Sequence, residues 1–399
     1  MSMEIGVVGK PNTGKSTFFR AATLASAETG DYPFTTVEAN RGVAFVRVPE
    51  PAAEFGVEPQ PRNSVSISGY RFVPVEMIDV PGLVPGAHAG RGLGNRFMDE
   101  LRRAPALVHV VDASGGTDAE GNPVKPGTHD PCEDVEFLER EVKLWYRSVL
   151  ERNWSRVSRR LTLGGESLPR VLGEVLAGLG MGEKEVKLAL REAQLSQPPG
   201  RWGEEELSAL SEALWKTSRR MLIAANKADV GTAKQGIEAL SRRFPERKVI
   251  PVSAMGELVL RELAERGVIR YVPGDGSFEL LESPGEREKK ALKIIKERVL
   301  EPYGSTGVQR VINTAVLELL GRIVVFPVAD EHRLCDSEGR VLPDALLLEG
   351  GSTARELAYA IHTDLGERFV GAVDVRTGRR ISAEEPLKHL DVIKIQVRP

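Results

Sequence analysis

Gly9-Lys10-Pro11-Asn12-Thr13-Gly14-Lys15-Ser16 follows the apolar run Glu4–Val8 and precedes a helical stretch. That context decides the fold. The spacing is G-x-x-x-x-G-K-S, in which glycines let backbone N–H groups wrap phosphate oxygens and the helix N-terminus adds partial positive charge. Lys15 is placed to reach the β- and γ-phosphates and Ser16 to ligate Mg²⁺, with Thr17 beside it in the nucleotide-binding set. A chance glycine turn would not have a strand before it and a helix after it.

Further apolar, β-branched runs follow at Val73–Ile78, Leu107–Val111, Met221–Ala225 and Val249–Val252. Strands buried on both faces and separated by helical stretches imply a parallel α/β sheet. Val43–Val48 precedes the Pro-rich connector Pro49–Pro61, expected to be a surface loop, and its pairing is expected to be antiparallel at a sheet edge.

The phosphate loop alone specifies only a nucleoside triphosphate. Asn226-Lys227-Ala228-Asp229 names the base, because N-K-x-D stands at the C-terminal end of a strand, where α/β sheets bind ligands. A buried carboxylate at Asp229 accepts hydrogen bonds from N1–H and the exocyclic amine of guanine. Adenine presents a lone pair at N1 and has no 2-amino group. Charge-assisted bonds of about 1.5–3 kcal/mol each allow discrimination of roughly 10²–10⁴. Lys227 is expected to lie over the phosphate loop and base with its aliphatic stem.

Asp79-Val80-Pro81-Gly82 follows the strand Val73–Ile78. There Asp79 would hold Mg²⁺ through water and the Gly82 N–H would sense the γ-phosphate. In the polar segment Asp31-Tyr32-Pro33-Phe34-Thr35-Thr36, Thr36 can complete the metal shell when triphosphate is bound. Val252-Ser253-Ala254 offers the backbone of Ser253 and Ala254 to guanine O6. Each tetrad is weak alone, but five in this order point to GTP and Mg²⁺.

Between Asp112 and Met221 the strand pattern stops. Gly115–Pro131 is a loop by composition. Leu138, Val142, Trp145 and Val149 then step as one helix stripe, followed by helical stretches through Leu161, at Leu168–Leu179 and at Glu183–Ala193, closed by Pro198-Pro199-Gly200. After Val272–Gly276, Glu286–Leu300 and Gly307–Leu320 are helical. Ile323–Val328, a helix at about Thr353–Leu365 opened by the capping box Thr353–Glu356 and stopped at Gly366, Val370–Val375 and Val392–Val397 suggest a β-grasp module. The expected division is a sheet domain at 1–114 and 217–275, a loop plus helical insertion at 115–216, a helical connector at 276–321 and the β-grasp domain at 322–399.

At 399 residues, two or three domains are expected. Apolar content of 41% and charged content of 28% exclude disorder and collagen. No run of about 18 apolar residues predicts a membrane span, and the first residues read as a strand rather than a signal peptide. Two cysteines build no disulfide framework, which points to the cytoplasm. Lys+Arg 54 against Asp+Glu 57 excludes a bulk polycation. From Arg140 to Arg160, seven basic residues face two acidic ones, with Trp145 and Trp154 among them. This is either an RNA-facing surface or a solvated helix face with its tryptophans in the core. Nothing suggests more than a monomer.

Asp31–Thr36 together with Gly86-Ala-His-Ala-Gly-Arg-Gly-Leu-Gly94-Asn95 resembles the Obg-like GTPases of the YchF subfamily, nearly over the full length, and Phe326–Val397 is similar to their TGS domain. The resemblance implies an α/β P-loop GTPase domain with an all-helical insertion and a C-terminal β-grasp (TGS) domain. It also implies GTP/GDP exchange and engagement of a ribosome or RNA-associated partner, without a membrane. Many YchF members carry N-x-x-E and take ATP; Asp229 departs from them toward GTP. Where Ras-like GTPases place a water-orienting glutamine, this chain has Leu83, so turnover slower than on the order of 10⁻⁴–10⁻³ per second is expected unless assisted. Two helpers are possible: His88, otherwise an exposed loop histidine, and Asn12, which resembles an asparagine that holds K⁺ in hydrophobic-substituted GTPases and is otherwise a polar turn residue. The glycines Gly82, Gly86, Gly90, Gly92 and Gly94 suit a ligand-dependent switch. The other readings are a small-molecule P-loop kinase with the insertion as its lid, and a nucleotide-gated scaffold with negligible turnover.

Overall fold

In this computed structural model residues 4–23, 41–80, 104–218 and 220–398 are described. Strands β1 (Glu4–Val8), β2 (Arg41–Pro49), β3 (Val65–Ile67), β4 (Tyr70–Asp79), β5 (Ala106–Asp112), β6 (Arg220–Asn226) and β7 (Lys248–Pro251) form one sheet, ordered β2-β4-β1-β5-β6-β7 with β3 on β4. From β4 through β7 the neighbours are parallel. The edge strand β2 is antiparallel to β4, as its place before the connector implied.

Side chains alternate across a strand, so each of β5 and β6 feeds two cores. Leu107, Val111, Ile223 and Ala225 join the core shared with the helical insertion. Val108, Val110, Leu222 and Ala224 join the opposite one, together with α1 (Lys15–Thr23), the connector residues Val308, Val311 and Ile312, and Phe326 and Val392 of the C-terminal module. The insertion is built on α2 (Pro131–Leu163), capped by the Asp130 carboxylate accepting from the Cys132 N–H, with α3 (Leu168–Leu176), α4 (Glu183–Ala193) and α5 (Glu204–Ser218). Pro198-Pro199-Gly200, read from sequence as the close of the block, is a short 3₁₀ turn; three glutamates, Glu204–Glu206, then open α5, whose Trp215 is almost fully buried. Glutamates favour a helix N-terminus, a signal that the Pro-Gly punctuation masked.

Among the described residues no helix is long and apolar enough to cross a membrane. Both cysteines, Cys132 and Cys335, are free and buried.

The connector helix Glu286–Ile295 runs through a π turn at Lys296–Leu300, and Val308–Asn313 runs into another at Thr314–Leu319. The C-terminal β-grasp sheet has the order Leu346–Glu349, Arg322–Val328, Val392–Val397, Phe369–Asp374, Arg380–Ile381. Its helix Ala354–Ile361 breaks at His362, whose Nδ1 accepts from the Asp364 N–H at 3.2 Å, and resumes at Thr363–Glu367. Gly366 therefore lies inside a helix and does not stop one. A Cβ there would sit 2.3 Å from the Tyr359 ring, so the glycine serves close packing.

The segment from Pro49 onward is no free surface loop. Pro51 and Ala52 are buried, the Gln60 and Arg62 N–H groups donate to the carbonyls of Val341 and Pro343, and Asn63 exchanges both its amide bonds with Ala345. Arg71, fully buried, meets both oxygens of Glu50 at 2.7 and 3.0 Å and the Leu342 carbonyl at 3.0 Å. The TGS module is thus locked to the sheet domain through a shared core, the hydrogen bonds at Gln60, Arg62 and Asn63, and the bond from Arg71 to the Leu342 carbonyl, with Glu50 holding that guanidinium from within the sheet domain.

Removing one partner of a buried pair strands the other charge at a cost of about 3–5 kcal/mol. Arg71→Ala is expected to lower unfolding free energy by that amount in urea denaturation. The double variant Arg71→Leu/Glu50→Leu should recover much of the loss.

Candidate nucleotide site

Parallel pairing sets Val7 opposite Asp79 and Asp112 opposite Asn226, so the C-terminal ends of β1, β4, β5 and β6 share one sheet edge. The loops after these strands form the site.

After β1 the phosphate loop turns into α1, whose first residues are Lys15, Ser16 and Thr17. The Thr13 hydroxyl donates to the Lys10 carbonyl at 3.0 Å, and the Phe18 N–H to the Gly14 carbonyl at 2.8 Å. Gly14 has φ +90°, and a Cβ on it would lie 2.2 Å from Asn226 Nδ2. Only glycine fits. Lys15 Nζ forms an ion pair with Asp79 Oδ1, so two residues assigned to phosphate and metal meet directly. Ser16 is exposed. Its hydroxyl and the Asp79 carboxylate are hard oxygen donors, the set Mg²⁺ prefers, so these residues fit that ion.

Asn226, almost fully buried, donates from Nδ2 to the Thr13 carbonyl at 2.9 Å and accepts on Oδ1 from the Ala254 N–H at 3.1 Å. One amide ties the phosphate loop to the loop after β7. Asp229, expected buried, is half-buried, and its Oδ1 accepts from Ser253 Oγ at 2.8 Å. The backbone offered to guanine O6 is otherwise engaged: Ser253 N–H donates to the Thr306 carbonyl at 2.9 Å and Ala254 N–H to Asn226. Sequence does not reveal these partners because Thr306 lies about fifty residues downstream.

Lys227 stands at φ +60° and reaches Asp112 Oδ2 at 2.7 Å and Thr117 Oγ1 at 3.3 Å. Thr117 Oγ1 in turn lies 3.4 Å from the Asn12 carbonyl. Burial alone would raise the Asp112 carboxyl, but hydrogen bonds from Lys227, Ser114 and Thr117 outweigh it and hold the group below its ordinary value.

Lys10, assigned to the nucleotide, turns its side chain away from it. Its Nζ lies 2.6 Å from Asp134 Oδ1 and 3.1 Å from the Thr117 carbonyl, leaving Lys10 only its backbone for phosphate. His129 Nε2 meets the same Asp134 oxygen at 2.7 Å. Burial pushes the Asp134 carboxyl above its ordinary value, against the hydrogen bonds from Lys10 and His129. Asn12 Nδ2 donates to the Gly121 carbonyl at 2.8 Å, and Pro11 packs on Gly121. Asp112, Thr117, Gly121, His129 and Asp134 are the residues that motif spacing missed. Only Asp112, an acid ending an apolar strand, left a visible signal.

Thr36, Gly82, Leu83 and His88, with the segments Asp31–Thr36 and Gly86–Asn95, lie outside the described residues. On α2 the packing matches the reading with tryptophans in the core: Trp154 stacks on Trp202, centroids 5.1 Å apart and rings 7° from parallel. Arg147 pairs with Glu151 and Glu204, and Arg160 with Glu166 and Glu174.

His109, opposite Val8 beside the phosphate loop, is fully buried, and its pKa falls to about 3, first through burial and then through the charges of Lys10 and Arg247. It stays neutral in the fold while an unfolded histidine binds a proton below about pH 6.5. Stability is therefore full above that pH and declines toward pH 3, by at most about 1.4 kcal/mol per pH unit from this group. Unfolding free energy measured across pH 7 to 4 should fall less steeply in His109→Leu than in the wild type.

A family model described as 50S ribosome-binding GTPase matches residues 4–139, one described as Obg-like GTPase YGR210-like, G4 motif-containing domain matches 224–330, and a TGS domain model matches 338–397. An uncharacterized GTP-binding protein of Methanocaldococcus jannaschii is 48% identical, over 98% of both chains. The ribosome-binding ATPase YchF of Bacillus subtilis is 29% identical over 94% of this chain and 89% of its own. The crystal structure of a GTP-binding protein from Pyrococcus horikoshii is 40% identical and superimposes with a TM-score of 0.78, covering 99% of this chain and all of that one.

Proposed function

Since this chain belongs to the Obg-like GTPases, with the P-loop, helical and TGS parts of the YchF type, we propose that it is a Mg²⁺-dependent GTP switch that hydrolyses GTP slowly to GDP and phosphate. Its partner is the ribosome or an RNA-associated partner, a reading supported by the Bacillus relative, a ribosome-binding ATPase. The observation that carries the base assignment is the Asn226 amide joining both loops while Ser253 orients Asp229. The Bacillus protein is named an ATPase; Asp229 and its serine are what turn this chain to guanine.

The phosphates would lie against the backbone of Gly9, Lys10, Pro11, Asn12, Thr13 and Gly14, and Gly82 is the residue whose N–H would sense the γ-phosphate. Lys15 exchanges Asp79 for phosphate oxygens. Ser16, Asp79 and Thr36 are the residues that would hold Mg²⁺, which neutralises charge on the β- and γ-phosphates when bound. Lys227 braces the phosphate loop through Asp112 and Thr117. With Leu83 in place of a glutamine the attacking water is not oriented, so turnover is slow. Asn12, whose amide nitrogen donates to the Gly121 carbonyl, is the residue that would hold a K⁺ ion, which would supply positive charge beside the phosphates. His88 is the second helper in this reading. The chain works as a monomer in the cytoplasm.

Asp229→Asn should lower GTP affinity by about ten- to a hundredfold and bring xanthosine triphosphate up to comparable affinity, measured by equilibrium binding. Unchanged guanine selectivity would refute the base assignment. Phosphate release to water should run faster in KCl than in NaCl at equal ionic strength, with the difference lost in Asn12→Gly, which tolerates the left-handed backbone (φ +61°) at that position. Equal wild-type rates would sink the cation role.

A further inference from the structure

Thr306 lies in the connector, between the stretch ending at Tyr303 and the helix Val308–Asn313, far in sequence from every nucleotide motif. It is fully buried. Its carbonyl accepts the Ser253 N–H at 2.9 Å, and Ser253 Oγ donates to Asp229 Oδ1 while accepting from the Gly256 N–H at 3.2 Å. A single residue therefore stands behind the serine that aims the aspartate.

What holds Thr306 is unusual. Its hydroxyl donates to Oε2 of Glu257, a carboxylate with no solvent exposure. The same oxygen accepts from the Tyr271 hydroxyl at 2.7 Å, and Oε1 accepts from Arg261 Nε at 2.7 Å. Burial first, and then the Glu257 charge, raise the Tyr271 phenol well above its ordinary range, so it remains a donor. A buried carboxylate is costly unless every lone-pair direction is met. Thr306, Tyr271 and Arg261 meet it jointly, so each is fixed in place by the others.

We propose that Thr306 is a positioning residue for purine selection: pinned by Glu257, its carbonyl holds Ser253, and Ser253 holds Asp229 where guanine presents N1–H and the 2-amino group. This rests on the assignment of the base site to Asp229. The chemical logic separates selection from affinity in general. Adenine donates no hydrogen bond to Asp229, so loosening the serine weakens guanosine nucleotides and leaves adenosine nucleotides as they were. Phosphate contacts at Lys15 and Ser16 are untouched. The connector also carries the chain into the TGS module, so the element that supports the base loop is the one joining the two domains.

The test measures dissociation constants of the full-length protein for GTP and ATP with Mg²⁺, and steady-state GTP hydrolysis. In Thr306→Val the GTP:ATP affinity ratio should fall at least tenfold through weaker GTP binding. KM for GTP should rise while kcat stays within about twofold of the wild type. Thr306→Ser, which keeps the hydroxyl, should restore the wild-type ratio. Tyr271→Phe removes another donor from Glu257 without touching the connector; it should shift the ratio the same way and decides the matter if Thr306→Val does not fold. Unchanged ratios in both variants, or equal weakening of GTP and ATP, would overturn the proposal. A wild-type protein with no guanine preference would instead mark failure of the base assignment itself.

Discussion

The site depends on one buried amide. A primary amide offers two donors and an acceptor on a rigid plane, so it can fix two strands of backbone at a set separation. Asn226 does this between the Thr13 carbonyl and the Ala254 N–H, joining loops that issue from β1 and β7 across the sheet. Because it is almost fully buried, losing either bond leaves a desolvated polar group at a cost of about 1–3 kcal/mol. The glycine at position 14 follows from the same constraint, since the amide nitrogen occupies the space of its missing side chain. The loop before α1 and the loop after β7 are therefore held by one side chain.

Around that contact the molecule arranges ionic links that reach outward. Asp112 gathers Lys227, Ser114 and Thr117; Asp134 gathers Lys10 and His129. The first ties the base turn to the phosphate loop, the second ties the phosphate loop to the first turns of α2. Both carboxylates are nearly closed to water, where an effective dielectric well below that of bulk water strengthens the attraction and penalises any unpaired state. The helical insertion is thus fastened to the nucleotide loop as firmly as the strands are.

Much of this was legible from the chain. Parallel strands announce themselves by uninterrupted β-branched runs, and the phosphate loop and N-K-x-D by spacing that few other chemistries require. What spacing cannot show is where a side chain turns. Lys10 sits inside the motif yet pairs with Asp134, over a hundred residues on, and Trp154 finds Trp202 across the insertion. Thr306 and Glu257 carry no local pattern, because a buried network is defined only once the chain is folded. Gly366 misled for the same reason: a glycine chosen for ring contact and one chosen to end a helix are identical on paper. Helix α5 was hidden by a Pro-Pro-Gly run that marks a corner and not an end.

The long helix α2 has a geometric consequence. Its 33 residues, at 1.5 Å each, make an arm of about 50 Å whose root lies beside Lys10 and His129. An arm of that length multiplies angles: about five degrees of tilt at the root sweeps the far end through roughly 4 Å. Sub-ångström adjustments around the phosphates would thus arrive at the tip as displacements large enough for another molecule to feel.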